Sequence, residues 1–145
     1  MELNSNLNYF DMTGGEGHTL FIGLSWEERC FLGAKEVYQR FNRMSNVYMF
    51  YNIHSSTDDN LNKSKINRYF SERHVEVTTI ELDYSNPFKC WTVLNKLTQE
   101  NQSKLKKPIV DITTMPREIT WMLFYFIKRF TSIISSIYHL SLIHI

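Results

Sequence analysis

Ser25, Glu27 and Arg29 in the segment Thr19-Leu-Phe-Ile-Gly-Leu-Ser-Trp-Glu-Glu-Arg29, and Asp111, Thr113, Thr114, Arg117 and Glu118 in Pro108-Ile-Val-Asp-Ile-Thr-Thr-Met-Pro-Arg-Glu118, have the types and spacing to do chemistry. Each segment reads as an apolar strand entering a polar turn that opens a helix. The polar groups therefore gather at strand C-termini, where open α/β sheets take ligands. A helix N-terminus offers free N–H groups and about half a positive charge, which suits phosphate or carboxylate. Arg29 and Arg117 could add bidentate contacts to the same anion, and Thr113 and Thr114 could add hydroxyls. The carboxylates open a second chemistry. Asp111 with Glu27 or Glu118 could hold Mg2+ and position water for phosphodiester or glycosidic cleavage.

All of these residues but Arg117 also have a structural explanation. Ser25 and Glu28 fit a capping box, S-x-x-E, and Glu27 one step round the helix could simply complement the dipole. Pro116 suits a first helical turn with Glu118 as its N3 partner, and Arg29 could pair with Glu118 or Asp111. Thr113 and Thr114 serve equally well as caps. Asp111 is the hardest to assign to packing, because it ends an apolar run in a presumed central strand, where an unpartnered carboxylate is costly. Bonding to backbone N–H groups of the neighbouring turn is its structural alternative to ligand or metal contact.

The elements that must position these groups alternate. Residues 1–18 form a polar lead-in whose glycines, Gly14, Gly15 and Gly17, precede the first strand, the wrong side for a dinucleotide fingerprint. Thr19–Leu24 reads as a buried strand, and Trp26, Cys30, Ala34, Val37, Tyr38 and Phe41 then fall on one helix face. Asn46–Ile53 reads as strand two, His54–Ser64 as a polar loop, and Lys65–Arg73 as a short helix. Strand three covers Val75–Leu82, and Asn86 with Pro87 suits the N-cap and first position of a helix reaching about Leu105. Ile109–Ile112 is strand four. Ile119–Phe130 is a helix apolar on nearly all sides, expected to be covered on two of them, and Ile133–Ile145 holds strand five. The chain stops at or just after that strand, where doubly wound domains often continue with another helix, so truncation of a longer chain is expected. Alternating β and α segments imply a mostly parallel sheet with right-handed crossovers, in a Rossmann-like three-layer α/β sandwich over 19–145. In the order 3-2-1-4-5, strands one and four are neighbours at the point where the winding reverses, and the two polar turns meet there.

Composition bounds the function. At 145 residues the chain fits one domain, burying roughly two thirds of its unfolded surface. A net charge of +1 argues against generic duplex nucleic-acid binding, and the longest apolar helix is shorter than the ~20 residues a membrane span needs. The first residues carry no basic or apolar signal segment, which points to the cytoplasm, where sequons at Asn62 and Asn101 have no use. Cys30 and Cys90 form no CxxC pair and read as reduced packing residues. His139 and His144, five apart in a strand, point to opposite faces, and no HExxH, GxSxG or GxxxxGK[ST] occurs.

The order strand-Gly-Leu-Ser-helix, followed after strand four by Asp111-Ile-Thr113-Thr114-Met115-Pro116-Arg117, resembles the CRISPR-associated Rossmann-fold (CARF) ligand-sensing domains. In that family a loop after strand one and an Asp/Asn-x-Thr/Ser-Gly-Gly-Thr-Lys/Arg loop after strand four line a pocket for cyclic oligonucleotides. Asp111, Thr113 and Arg117 match the second motif, while Thr114-Met115 replace its glycines and Pro116 its Thr. The resemblance implies a nucleotide-sensing module of prokaryotic antiviral defence, usually dimeric and often fused to an effector. The first expectation is thus a module binding a small anionic, nucleotide-like ligand at the switch-point crevice. The others are a metal-dependent hydrolase acting on nucleotides or nucleic acid at the same site, and a domain in which both motifs are only caps.

Overall fold

The computed structural model describes residues 17–41, 43–55, 59–105, 107–130 and 136–138. Among the described residues five strands and four α-helices alternate: β1 (His18–Gly23), α1 (Glu28–Arg40), β2 (Met44–Asn52), α2 (Asp59–Ser71), β3 (Glu76–Leu82), α3 (Pro87–Glu100), β4 (Pro108–Asp111), α4 (Arg117–Phe130) and β5 (Ser136–Tyr138). A 3-10 turn, Gln102–Lys104, joins α3 to β4. The lead-in glycines at 14 and 15, and His139 and His144, lie outside the described residues.

The sheet order is β3-β2-β1-β4-β5 and every pairing is parallel, as the alternation of elements requires. Four strands make its body. The fifth is a three-residue backbone segment with Tyr138 opposite Asp111. At the centre, β1 is flanked by β2 and β4, with Ile22 opposite both Met49 and Asp111.

Side-chain alternation along β1 builds the two cores of a three-layer sandwich. Leu20 and Ile22 face Cys30, Ala34 and Val37 of α1 and Ile66 and Phe70 of α2. Phe21, with Tyr48 and Phe50 of β2, faces Leu94 of α3 and Leu123, Phe126 and Ile127 of α4. Nearly continuous apolar strands follow from burial on both faces.

Local chemistry sets several helix ends. Asn86 accepts from the Lys89 N–H with Pro87 in the first turn, as its sequence predicts. Helix α2 begins at Asp59, six residues before the predicted start, so the polar stretch 54–64 is half helix. Its buried stripe of Ile66, Tyr69 and Phe70 extends one turn back to Asn62, which is 3% exposed, and that anchor carries the polar residues around it into the helix. Helix α4 corrects another expectation. Ile119, Leu123, Phe126 and Ile127 are buried, but Trp121 and Tyr125 are 66% and 53% exposed, so one face is covered and the opposite face meets solvent. Among the described residues, no helix is long and apolar enough to cross a membrane.

Candidate functional site at the C-terminal ends of β1 and β4

The two polar turns meet. Thr114 Oγ1 donates to the Gly23 carbonyl at the end of β1, and Cys30 Sγ donates to the same oxygen at 3.4 Å. A Cβ on Gly23 would lie 2.8 Å from both Met115 Cα and Thr114 O. The absent side chain lets the β4–α4 turn close directly onto the end of β1. Cys30 and Cys90 are both buried and not joined in a disulfide, as their sequence context predicts.

Asp111 sits beneath α1. The residue is 3% exposed, Oδ1 accepts from the Thr113 N–H at 2.9 Å, and a Cβ on Gly33 of α1 would come within 2.9 Å of Oδ2. Gly33 therefore gives the helix room to pass over the carboxylate, and Asp111 closes its own turn through the backbone. Thr113 is buried at 6% exposure, and the Thr114 hydroxyl is committed to Gly23.

The β1–α1 turn departs from the capping box. Helix α1 opens at Glu28 with Glu27 at the N-cap and no side-chain cap, while Ser25, two residues before the N-cap, accepts through Oγ from the Glu27 N–H at 3.1 Å. The reason is a group from α2. Asn62 Nδ2 donates to the carbonyls of Ser25 and Glu27, at 2.7 and 2.8 Å, and so holds the turn in a conformation that places Ser25 before the cap position. Trp26, expected on the buried face of the helix, instead precedes it and is 69% exposed.

The two arginines have different fates. Arg29 Nε donates to Glu27 Oε2 at 2.8 Å, so its partner is two residues away rather than Glu118 or Asp111. Arg117, the exposed first residue of α4, has no ion pair among the described residues. It lies at a cavity of about 550 Å3 with Ile112, Met115, Thr120, Trp121 and Phe124. That volume is in the range of small-molecule sites. Ser25, Glu27 and Arg29 do not line this cavity, so the crevice expected to hold both guanidinium groups is divided, with Arg117 on the α4 side. Glu118 is exposed in the first turn of α4, where it complements the helix dipole.

The carboxylates are dispersed in their roles: Asp111 in its turn, Glu27 against Arg29, Glu118 toward solvent. Among the described residues no three His, Cys, Asp or Glu side chains converge as a metal site. At the neighbouring strand ends, His54 Nε2 lies 3.3 Å from Asp83 Oδ1, and the Ser85 hydroxyl donates to the same oxygen. That hydrogen bond from Ser85 holds the Asp83 carboxyl below its ordinary 3.8, against a smaller opposing effect of burial, with help from the Ser85 N–H and the charges of His54 and Lys89.

Asn62 and Trp26 are the residues that sequence reasoning placed elsewhere. The spacing of Asn62 four before Ile66 and eight before Phe70 is the signal that it shares their buried face. No comparable signal exposes Trp26, whose position depends on where the helix begins.

No protein-family model matches this sequence, and no curated protein does. Among solved structures, a short-chain dehydrogenase from Oenococcus oeni PSU-1 superposes with a TM-score of 0.54 at 11% identity, over 80% of this chain and 57% of that one. The chain thus spans a little over half of that structure's length. At this identity the likeness establishes the Rossmann-like fold alone.

Proposed function

We propose that this chain is a binding module for a small anionic, nucleotide-like ligand, seated at the C-terminal ends of β1 and β4 and extending toward the start of α4. The observation that carries the reading is Arg117: an exposed guanidinium without an ion partner among the described residues, at the mouth of a cavity beside the point where the winding of the sheet reverses. Guanidinium suits phosphate or carboxylate through paired N–H donors. Helix α4 adds the positive end of its dipole behind Arg117, and α1 opens nearby without a side-chain cap. Apolar Ile112, Met115 and Phe124 with the indole of Trp121 give the cavity a surface for the uncharged part of such a ligand. The CARF-like resemblance supplies the class: a sensing domain, with a homodimer, a fused effector and an antiviral setting as its accompanying expectations.

Thermal unfolding in the presence of ATP, cyclic di-AMP or pyrophosphate tests this reading. A ligand at one hundred times its Kd stabilises the folded chain by about 2.7 kcal/mol. Arg117→Ala should remove the ligand-induced shift and leave the ligand-free midpoint in place, because the side chain is exposed. Absence of a shift with all three anions, or a full shift in Arg117→Ala, refutes the proposal.

A further inference from the structure

Four of the five large aromatic side chains exposed among the described residues stand on two neighbouring helices, Phe88 and Trp91 on α3, Trp121 and Tyr125 on α4. Trp121 and Tyr125 lie about one turn apart on the face of α4 opposite its buried stripe of Ile119, Leu123, Phe126 and Ile127, and the Tyr125 ring meets that of Trp91 with centroids 5.2 Å apart. Phe88 stands about one turn before Trp91. Single exposed apolar side chains need no explanation, but an aromatic ridge that crosses from one helix to the next does. Helix propensity does not supply it, because aromatics are only middling helix formers. The charges on the same stripe are ordered as well. Exposed Glu118 stands three residues before Trp121, and exposed Lys128 three residues after Tyr125 with Arg129 beside it. Either charge alone suits the helix dipole. Together with the rings they form a stripe with spacings of three, four and three, the seam along which two helices pack side by side.

We propose that this stripe is a self-association surface, on which a second copy of the chain packs its own α4 antiparallel about a two-fold axis level with Leu123. The sequence is symmetric about that point in the sense such a contact requires. Trp121 and Tyr125 lie two residues to either side of Leu123, and Glu118 and Lys128 lie five. The axis therefore sets each Trp121 against the other copy's Tyr125 and each Glu118 against the other copy's Lys128 and Arg129, so that rings meet in the middle and unlike charges meet at both ends. A parallel pairing would oppose like charges at each end. An acidic or a basic partner complements one end of the stripe, whereas a second copy complements both. From Glu118 to Lys128 the seam is about 15 Å long, and Trp91 and Phe88 widen it onto α3. An aromatic centre within a charged rim is the composition of protein interfaces. Trp121 also borders the cavity at Arg117, but the association needs no ligand and stands independently of the anion-binding reading.

Sedimentation velocity on the full chain without ligand, over a series of concentrations, tests the proposal with two charge reversals, Glu118→Lys and the pair Lys128→Glu with Arg129→Glu. Wild type should be a reversible dimer. Each reversal alone sets like charges together at both ends of the seam and should raise the dimer Kd by roughly 10-fold or more. An equimolar mixture of the two variants should recover dimers, because each reversal then faces the other. Tyr125→Ala should weaken association comparably, by removing a ring from the centre of the contact. All four side chains are exposed, and recovery in the mixture shows that the charge variants are folded. A monomeric wild type, a reversal that dimerises as wild type does, or a mixture that stays monomeric overturns the proposal. A monomeric wild type that sediments with phosphatidylserine vesicles overturns it too, and makes the ridge a membrane contact.

Discussion

Replacing Gly23 by Ala tests the contact on which the whole site depends. The backbone conformation there is ordinary, with no positive φ, so alanine enters without torsional strain and gains about 0.4–1 kcal/mol by restricting the unfolded chain. Against that gain, its Cβ would lie 2.8 Å from Met115 Cα and from Thr114 O, and neither is the end of a flexible side chain. Relief requires the β4–α4 turn to move away from β1, and overpacking of this kind costs about 1–3 kcal/mol. The same movement strains the bond from Thr114 Oγ1 to the Gly23 carbonyl, worth another ~0.5–1.5 kcal/mol. The destabilising contributions win, and the expected net loss is about 2 kcal/mol. For a domain of this size that lowers Tm by roughly 8 °C. Urea unfolding followed by far-UV circular dichroism measures it directly, and the midpoint should fall without a change in m. The variant should also bind ATP and cyclic di-AMP more weakly at temperatures where it remains folded, because displacing the β4–α4 turn moves Met115 and the start of α4, which line the cavity at Arg117. A Gly23→Ala protein that unfolds at the wild-type urea concentration would refute the reasoning, since the backbones of the two turns could not then be in contact.

Two further outcomes follow from particular bonds. Asn62→Ala leaves the carbonyls of Ser25 and Glu27 without their donor, at a cost of about 1–3 kcal/mol, and amide exchange at Trp26 and Glu27 should accelerate; unchanged stability with unchanged exchange counts against the clamp. Asp83, with its folded pKa depressed by the Ser85 hydroxyl, contributes stability that is present above the ordinary 3.8 and is lost as pH falls through the lower folded value. The urea midpoint should therefore drop on acidification below about pH 4. Ser85→Ala should flatten that drop, and identical pH profiles for the two proteins refute the assignment.

What the sequence reveals about this molecule, and what it hides, divides along a physical line. Strand order was legible because apolar runs alternating with helical spacing leave few parallel arrangements, and the chirality of crossovers narrows them further. The cap at Asn86 was legible because Asn, Pro and the N–H that Asn86 satisfies lie within four residues. The β1–α1 turn followed a different logic. S-x-x-E at Ser25 is a sound local signal, but Asn62, 37 residues from Ser25, holds the Ser25 carbonyl and decides where the helix begins. Gly23 and Gly33 are similar cases, since each lacks a side chain on account of a group on or just after β4, 91 residues on in the bond from Thr114 to Gly23. Periodicity shows which residues of α4 share a face. It does not show that Trp121 and Tyr125 meet solvent, because coverage is a property of neighbours and not of the helix. The same distinction separates the two candidate cations. Arg29 and Arg117 follow comparable turns, yet Arg29 is matched to a carboxylate two residues away and Arg117 has no such match among the described residues. An anion displacing Glu27 from Arg29 must compete with a charged hydrogen bond already made, whereas Arg117 has no ion pair among the described residues to compete with. Selection for an incoming anion therefore falls on the α4 side of the sheet's switch point, and Arg117, rather than Arg29, is the substitution on which the binding reading stands or falls.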